Sequence, residues 1–375
     1  MSKIFERYIH PGFVFAGGTI GVGFLSLPYI ASRVGIGIFF IYFLIISFIT
    51  VMLNLAFCDV SLKTPDFKRF PGFVEKYFGK KTKFLSTILL LIAGFGILLA
   101  YLIVGGQFFA SLFQKYLGGS QMIYTFIYFG IACLAVLFNF KVISRVIFFI
   151  LGFLALSLCL IFLKGFFYIQ PSNFQFISPN FQNNWFLPFG PILFSLWGAG
   201  FVPQVEEMIK KSKNSLKKII LISTIAVAIF YFLFTLLILG ISGIKTTQTA
   251  LPGLAKFFDG IVFIALLAGS AAILNAFIAQ SNILKEALIY DLKINRKQAF
   301  VMICFTPMIL FLLGFNAFIG IISFIGGVII SIFGIIIMLM YRKIGGMNII
   351  TYPLILIFVF SIVYQIFYFL WLGIS

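Results

Sequence analysis

The sequence predicts an all-α polytopic membrane protein with eleven transmembrane helices, built as two five-helix repeats of opposite orientation followed by one extra helix. Three observations carry that expectation. Of 375 residues, 62% are hydrophobic and only 10% charged, whereas a soluble domain carries about 25% charged residues. The charged residues stand in short clusters that leave uncharged runs, most of them long enough for crossings of about 20 residues each. Two of these runs are interrupted in mid-span by glycine clusters 177 residues apart, centred on Gly21 and Gly198.

Runs free of Lys, Arg, Asp and Glu cover 8–32, 34–58, 84–114, 116–140, 146–163, 165–205, 219–244, 260–284, 298–341 and 344–375. The first follows Lys3 and Arg7 as a signal peptide would. Glycines and a proline break its interior and no cleavage-type pattern closes it, so it reads as a retained helix one. The run 165–205 holds a single crossing: Gln170-Pro171-Ser172-Asn173 through Gln182-Asn183-Asn184 is polar and turn-rich, an outer loop leading into helix six at about 186–208. The run 298–341 is too long for one crossing and turns at Gly314-Phe315-Asn316-Ala317, giving helices nine and ten.

With the N-terminus inside, the outer loops keep Arg33, Lys115, Lys164, Lys245 and Lys256, and the inner segments hold the other 22 of 27 cationic residues. The positive-inside rule then predicts a multi-pass protein of the cell (cytoplasmic) membrane, N-terminus cytoplasmic and C-terminus external. The same placement explains the net charge of +18. Elsewhere it would suggest nucleic acid; here the expected neighbour is the lipid bilayer, with no nucleic acid. Cys58, Cys133, Cys159 and Cys304 show no CxxC spacing and His10 is the single histidine, so no metal, haem or disulfide framework is expected. Intramembrane catalysis would want His, Asp or Glu within a span. None lies at mid-span, so no enzyme is expected.

Glycine is about 1 kcal/mol worse than alanine inside a helix. Gly17-Gly18-Thr19-Ile20-Gly21-Val22-Gly23 in helix one, and Trp197-Gly198-Ala199-Gly200 followed by Pro203 in helix six, therefore predict unwound backbone at mid-membrane. The amides and carbonyls freed there need a cavity or a ligand. Helices one to five occupy 9–165, six to ten 186–341 and helix eleven 351–374, all within one transporter domain of 1–375. Five is odd, so the second repeat is inverted, and inverted repeats with interrupted first helices point to a secondary transporter with its site at the midplane. Close packing through small residues accounts for any one glycine, but less well for matched breaks.

Gly18-Thr19-Ile20-Gly21-Val22-Gly23-Phe24-Leu25-Ser26-Leu27-Pro28-Tyr29 resembles the first-helix signature of permeases in the amino acid–polyamine–organocation superfamily, in particular the amino acid/auxin and aromatic amino acid permease branches. Phe194-Ser195-Leu196-Trp197-Gly198-Ala199-Gly200, then Glu206-Glu207 and a lysine-rich stretch, is similar to that superfamily's sixth helix. The resemblance covers helices one to eight by motif and layout and nine to eleven by hydropathy. It implies the LeuT-type fold.

A half-helix that starts at mid-membrane presents unpaired amides and about half a positive charge. The amides of Gly21, Val22 and Gly23 are thus expected to hold the carboxylate of an amino acid. Carbonyls freed at Ser195, Trp197, Gly198 and Ala199 are expected to accept from its amine. Tyr101, mid-way along helix three, lies where transporters of this fold place a residue facing the breaks; with Trp197 and Asn275 it makes the expected side-chain pocket, and packing is the competing reading for each aromatic. Gly17 on helix one and Ser270 on helix eight are the candidate ion positions, Ser270 facing helix one; Ser270 and Asn275 read equally as hydrogen-bonding glue between helices. Sodium-coupled relatives often carry an asparagine on helix one, where this chain has Gly17; some proton-coupled relatives carry a lysine in helix five, and Gly152-Phe153-Leu154-Ala155-Leu156 has none. Proton, sodium and uncoupled exchange all stay open.

Glu206 and Glu207 read either as gating residues or as a solvated helix end paired to Lys210 at i,i+4. Asp59 and Glu286 read as interfacial pairs. Lys68 to Lys83, with Phe70, Phe73, Tyr77 and Phe78 interleaved, reads as an amphipathic segment on anionic lipid. Thr246 to Leu254 is expected to form an outer lid helix. The expectation is a monomeric permease for a neutral amino acid, aromatic or branched side chains included, working by alternating access; polyamines would need acidic groups in the pocket. The alternative is a non-transporting, amino-acid-sensing receptor on the same fold.

Overall fold

The structure is a computed structural model that describes residues 8–64, 69–137, 140–179, 181–209 and 213–372. Among these residues every regular element is helical: α1 His10–Thr19, α2 Leu27–Val34, α3 Ile36–Leu62, α4 Phe70–Phe78, α5 Lys80–Leu117, α6 Gln121–Leu137, α7 Phe140–Gly165, α8 Phe181–Asn184, α9 Phe189–Ser195, α10 Val202–Met208, α11 Lys213–Ser242, α12 Ala255–Glu286, α13 Arg296–Leu312, α14 Phe318–Phe324, α15 Ser331–Lys343 and α16 Asn348–Leu372. Hydrocarbon leaves no partner for an open backbone group, so apolar runs close their bonds internally as helices. Six described segments are long and apolar enough to cross a membrane, and α1 with the stretch running through α2, bent by 51°, makes a seventh. Phe48, Ile229, Leu356 and Phe367 stand exposed on the outside, the surface an integral membrane protein offers to lipid.

Helices end where glycine lets the chain reverse. Gly35, at φ 92°, separates α2 from α3, and Gly79, at φ 87°, separates α4 from α5; a Cβ would be strained at either. The turn predicted at 314–317 falls between α13 and α14.

The half-helices lie inside the bundle. α9 packs on Val22–Ser26 and on Ile325–Ile330, α10 on α1 and α3, and α11 on α1, α2 and α3, while α5 and α12 pack on one another. A third irregular stretch completes this centre. Ile325–Ile330, between α14 and α15, is π-helical, a form concentrated at functional sites. Gly326 lies so close to Gly190 of α9 that a Cβ would overlap the Gly190 carbonyl. The hydroxyl of Ser361, on α16, donates to the Gly327 carbonyl at 2.8 Å, so the last helix is tied to this stretch.

At the end bearing the 166–187 loop the chain is closed over itself. The Ile36 and Gly37 amides donate to the Gln175 and Phe176 carbonyls at 2.8 and 3.1 Å, and the Ser178 amide to Val34 at 3.1 Å. Thr246 to Leu254 does not form a lid helix; it carries a single 3₁₀ turn, Leu251–Leu254, with Leu251 and Leu254 buried. Pro252 and Gly253 favour a turn over a regular helix.

At the opposite end the segment expected on lipid is corrected. α4 is tucked beneath the helices: Phe73 is fully buried and packs on Phe57 at 5.2 Å, and Phe70 packs on Phe333 at 4.9 Å. Enclosure between helices buries both faces of the aromatic side chains, more area than an interface would cover. Lys68 lies outside the described residues. Asp59 pairs with Lys217 at 2.7 Å and Glu286 with Arg69 at 3.0 Å.

Candidate functional site

Both breaks are built alike. α1 stops at Thr19, Ile20 and Gly21 are extended at φ −74°, ψ 93° and φ −113°, ψ −164°, and a 3₁₀ turn, Val22–Ser26, leads into α2 with Pro28 in its first turn. α9 stops at Ser195, Gly198 follows at φ −115°, ψ −9°, and a 3₁₀ turn, Ala199–Phe201, leads into α10 with Pro203 in its first turn. Proline has no amide to lose at that position and its fixed φ suits a helix start.

The breaks interlock. A Cβ on Gly23 would sit 2.6 Å from Ser195 Oγ and 2.8 Å from the Phe194 ring, one on Gly18 would sit 2.6 Å from the Phe201 ring, and one on Gly198 would overlap Phe15 and come within 2.9 Å of Thr19 Oγ1. Several glycines therefore serve the close approach of the two broken segments, while Gly21 stands apart: its Cβ would meet only the Tyr101 hydroxyl, at 3.7 Å.

A 3₁₀ turn beginning at Val22 leaves its first amides without intrahelical acceptors. Across the second break, the Gly198 carbonyl accepts from the Phe201 amide at 2.9 Å and the Ala199 carbonyl from the Val202 amide. No backbone donor reaches the carbonyls of Ser195 and Trp197 among the described residues. Freed donors on one segment thus stand near freed acceptors on the other.

Between them lies a cavity of about 470 Å³. Gly21, Val22, Gly23, Tyr101, Ser195 and Trp197 line its inner end; Phe194, Ile325, Ile330 and Phe333 form walls; Arg69, Glu207, Glu286 and Asp291 stand towards the mouth. The Arg69 and Glu286 side chains are 50% and 57% exposed, so the cavity reaches the surface that carries Lys63, Lys217 and Lys343.

A match to the family described as "Transmembrane amino acid transporter protein" spans residues 10–239, both breaks included. The chain belongs to that family. This transporter also resembles in structure MhsT, solved in complex with L-phenylalanine: the TM-score is 0.58 at 16% identity, over 98% of each chain. At that identity the likeness speaks to the LeuT-type fold. A search of curated proteins gave no match.

Within the transporter, the residues read from sequence divide into those the cavity gathers and those it does not. Gly21, Val22, Gly23, Ser195, Trp197, Tyr101 and Glu207 line it; Gly198 and Ala199 lie in the same break, turned into packing; Gly17, Ser270 and Asn275 are not on its wall. The Ser270 hydroxyl donates to the Leu266 carbonyl at 2.7 Å, and its own carbonyl accepts from Tyr128 on α6 at 3.0 Å. The Asn275 side-chain oxygen is buried with no hydrogen-bond partner among the described residues. Glu206 is not a solvated helix end: it is 1% exposed and accepts from the Ser61 hydroxyl on α3. Lys210 and Lys211 lie outside the described residues.

Several wall residues were not read from sequence. Phe333 stacks on Trp197 at 6.2 Å and 24°, and Ile325 and Ile330 come from the π-helical stretch. Gly326-Gly327 in mid-run was the available signal for that stretch, of the same kind that marked helix one.

Proposed function

We propose that the chain is a secondary transporter of neutral amino acids, working by alternating access across eleven membrane helices in two inverted five-helix repeats plus one, with its N-terminus in the cytoplasm and the cavity open to that side. The observation that carries this reading is the single cavity joining amides freed at one break to carbonyls freed at the other. The amides at Gly21 to Gly23 receive the carboxylate, the carbonyls of Ser195 and Trp197 the amine, and Trp197, Phe333 and Ile325 surround the side chain. The charged lining residues, Arg69, Glu207, Glu286 and Asp291, come from loops and helix ends. A zwitterion with an uncharged side chain is therefore the fitting substrate, since a cationic side chain held between the two breaks would meet no carboxylate there.

Uptake into proteoliposomes tests this. A labelled pool of neutral amino acids is expected to accumulate under an imposed pH or sodium gradient, which names the coupling ion, and arginine or putrescine is not. Binding without movement under either gradient or under preloaded exchange would make the chain a receptor on the same fold.

A further inference from the structure

Tyr231, on α11, is fully buried. Its ring stacks on Phe24 within the 3₁₀ turn, at 5.4 Å and 7°. Its hydroxyl donates to the Thr19 carbonyl at 3.3 Å. Thr19 is the last residue of α1 and Phe24 lies in the 3₁₀ turn, so one side chain meets both edges of the break.

A carbonyl freed at the end of α1 in low dielectric is costly unless it is bonded. The Tyr231 hydroxyl bonds it, held by a stacked ring that contacts the far side of the same gap. Val22 and Gly23, whose amides open the 3₁₀ turn, lie between these two contacts and line the cavity.

We propose that Tyr231 is a positioning residue for the substrate carboxylate: by tying the Thr19 carbonyl to the 3₁₀ turn through the Phe24 ring it fixes the direction of the Val22 and Gly23 amides. It does not touch substrate and acts through the backbone of the break. The proposal rests on the reading of the cavity as an amino acid site, and it adds a residue from a helix outside the two broken segments.

The test compares Tyr231→Phe with the parent protein, since the substitution keeps the ring stack and removes the hydroxyl alone. Affinity is measured for L-leucine or L-phenylalanine, whichever the parent accumulates, and for its carboxamide, which keeps the amine and side chain and lacks the carboxylate charge. The parent is expected to prefer the acid by about 100-fold or more. In Tyr231→Phe that preference falls at least about 10-fold while the carboxamide affinity changes less than about 2-fold. Should the variant not fold, Phe24→Leu keeps the hydroxyl and removes its ring support, and the preference is expected to fall about 3-fold. An unchanged preference, or an equal loss for both ligands, overturns the proposal. A parent that binds no amino acid overturns instead the reading of the site.

Discussion

Gly21→Val is expected to abolish amino acid binding and leave the protein folded. The backbone at Gly21 is extended, at φ −113° and ψ −164°, a conformation β-branched residues favour. A Cβ there meets nothing nearer than the Tyr101 hydroxyl at 3.7 Å, so the resting structure has room for it. The valine methyls would nevertheless occupy the space through which a carboxylate approaches the Val22 and Gly23 amides. A loss of at least about 100-fold in affinity, which is about 2.7 kcal/mol, is expected with the unfolding temperature nearly unchanged. Gly23→Val should behave differently, because its Cβ would press on Ser195 Oγ and Phe194. Overpacking of that kind costs about 1 to 3 kcal/mol, so this variant is expected to lose stability as well as binding. Parent-like binding by Gly21→Val would remove the carboxylate cradle.

The second large effect is expected at Trp197. Its ring lines the cavity and stacks on Phe333, which in turn packs on Phe70 of α4. Truncating a large aromatic that packs on substrate costs about 3 kcal/mol, a factor of about 100 or more in affinity. Trp197→Ala should therefore lose that factor for phenylalanine and leucine and far less for glycine and alanine, in a competition series against labelled substrate. An equal loss across the series would move Trp197 from the side-chain pocket to the backbone of the break.

What the sequence carried and what it withheld follow from range. Glycine and proline act on their own backbone, so the two interruptions and the half-helix starts at Pro28 and Pro203 were legible from local composition. The roles of the glycines were only partly so: nothing local distinguishes Gly21, open to the cavity, from Gly23, pressed on Ser195. Tyr231 could not be found, as its bond to Thr19 joins residues 212 apart and the chain has 15 tyrosines. The aromatic spacing of Phe70, Phe73 and Phe78 suits a lipid interface and the underside of a helix bundle equally, and packing decided for the latter. Ser270 is polar at mid-span, but a hydroxyl on a helix satisfies itself on the carbonyl one turn back, and that is the bond it makes.

The most direct measurement of the central claim is thiol labelling inside the cavity. Ile97 lines it one turn from Tyr101. In a protein with Cys58, Cys133, Cys159 and Cys304 replaced, Ile97→Cys should react with a membrane-impermeant maleimide applied from the side carrying Lys63 and Lys343, and saturating neutral amino acid should slow that reaction at least about 10-fold. Reaction that an amino acid leaves unaffected, or labelling confined to the opposite side, would contradict a substrate cavity between the two breaks that opens where this structure has it open.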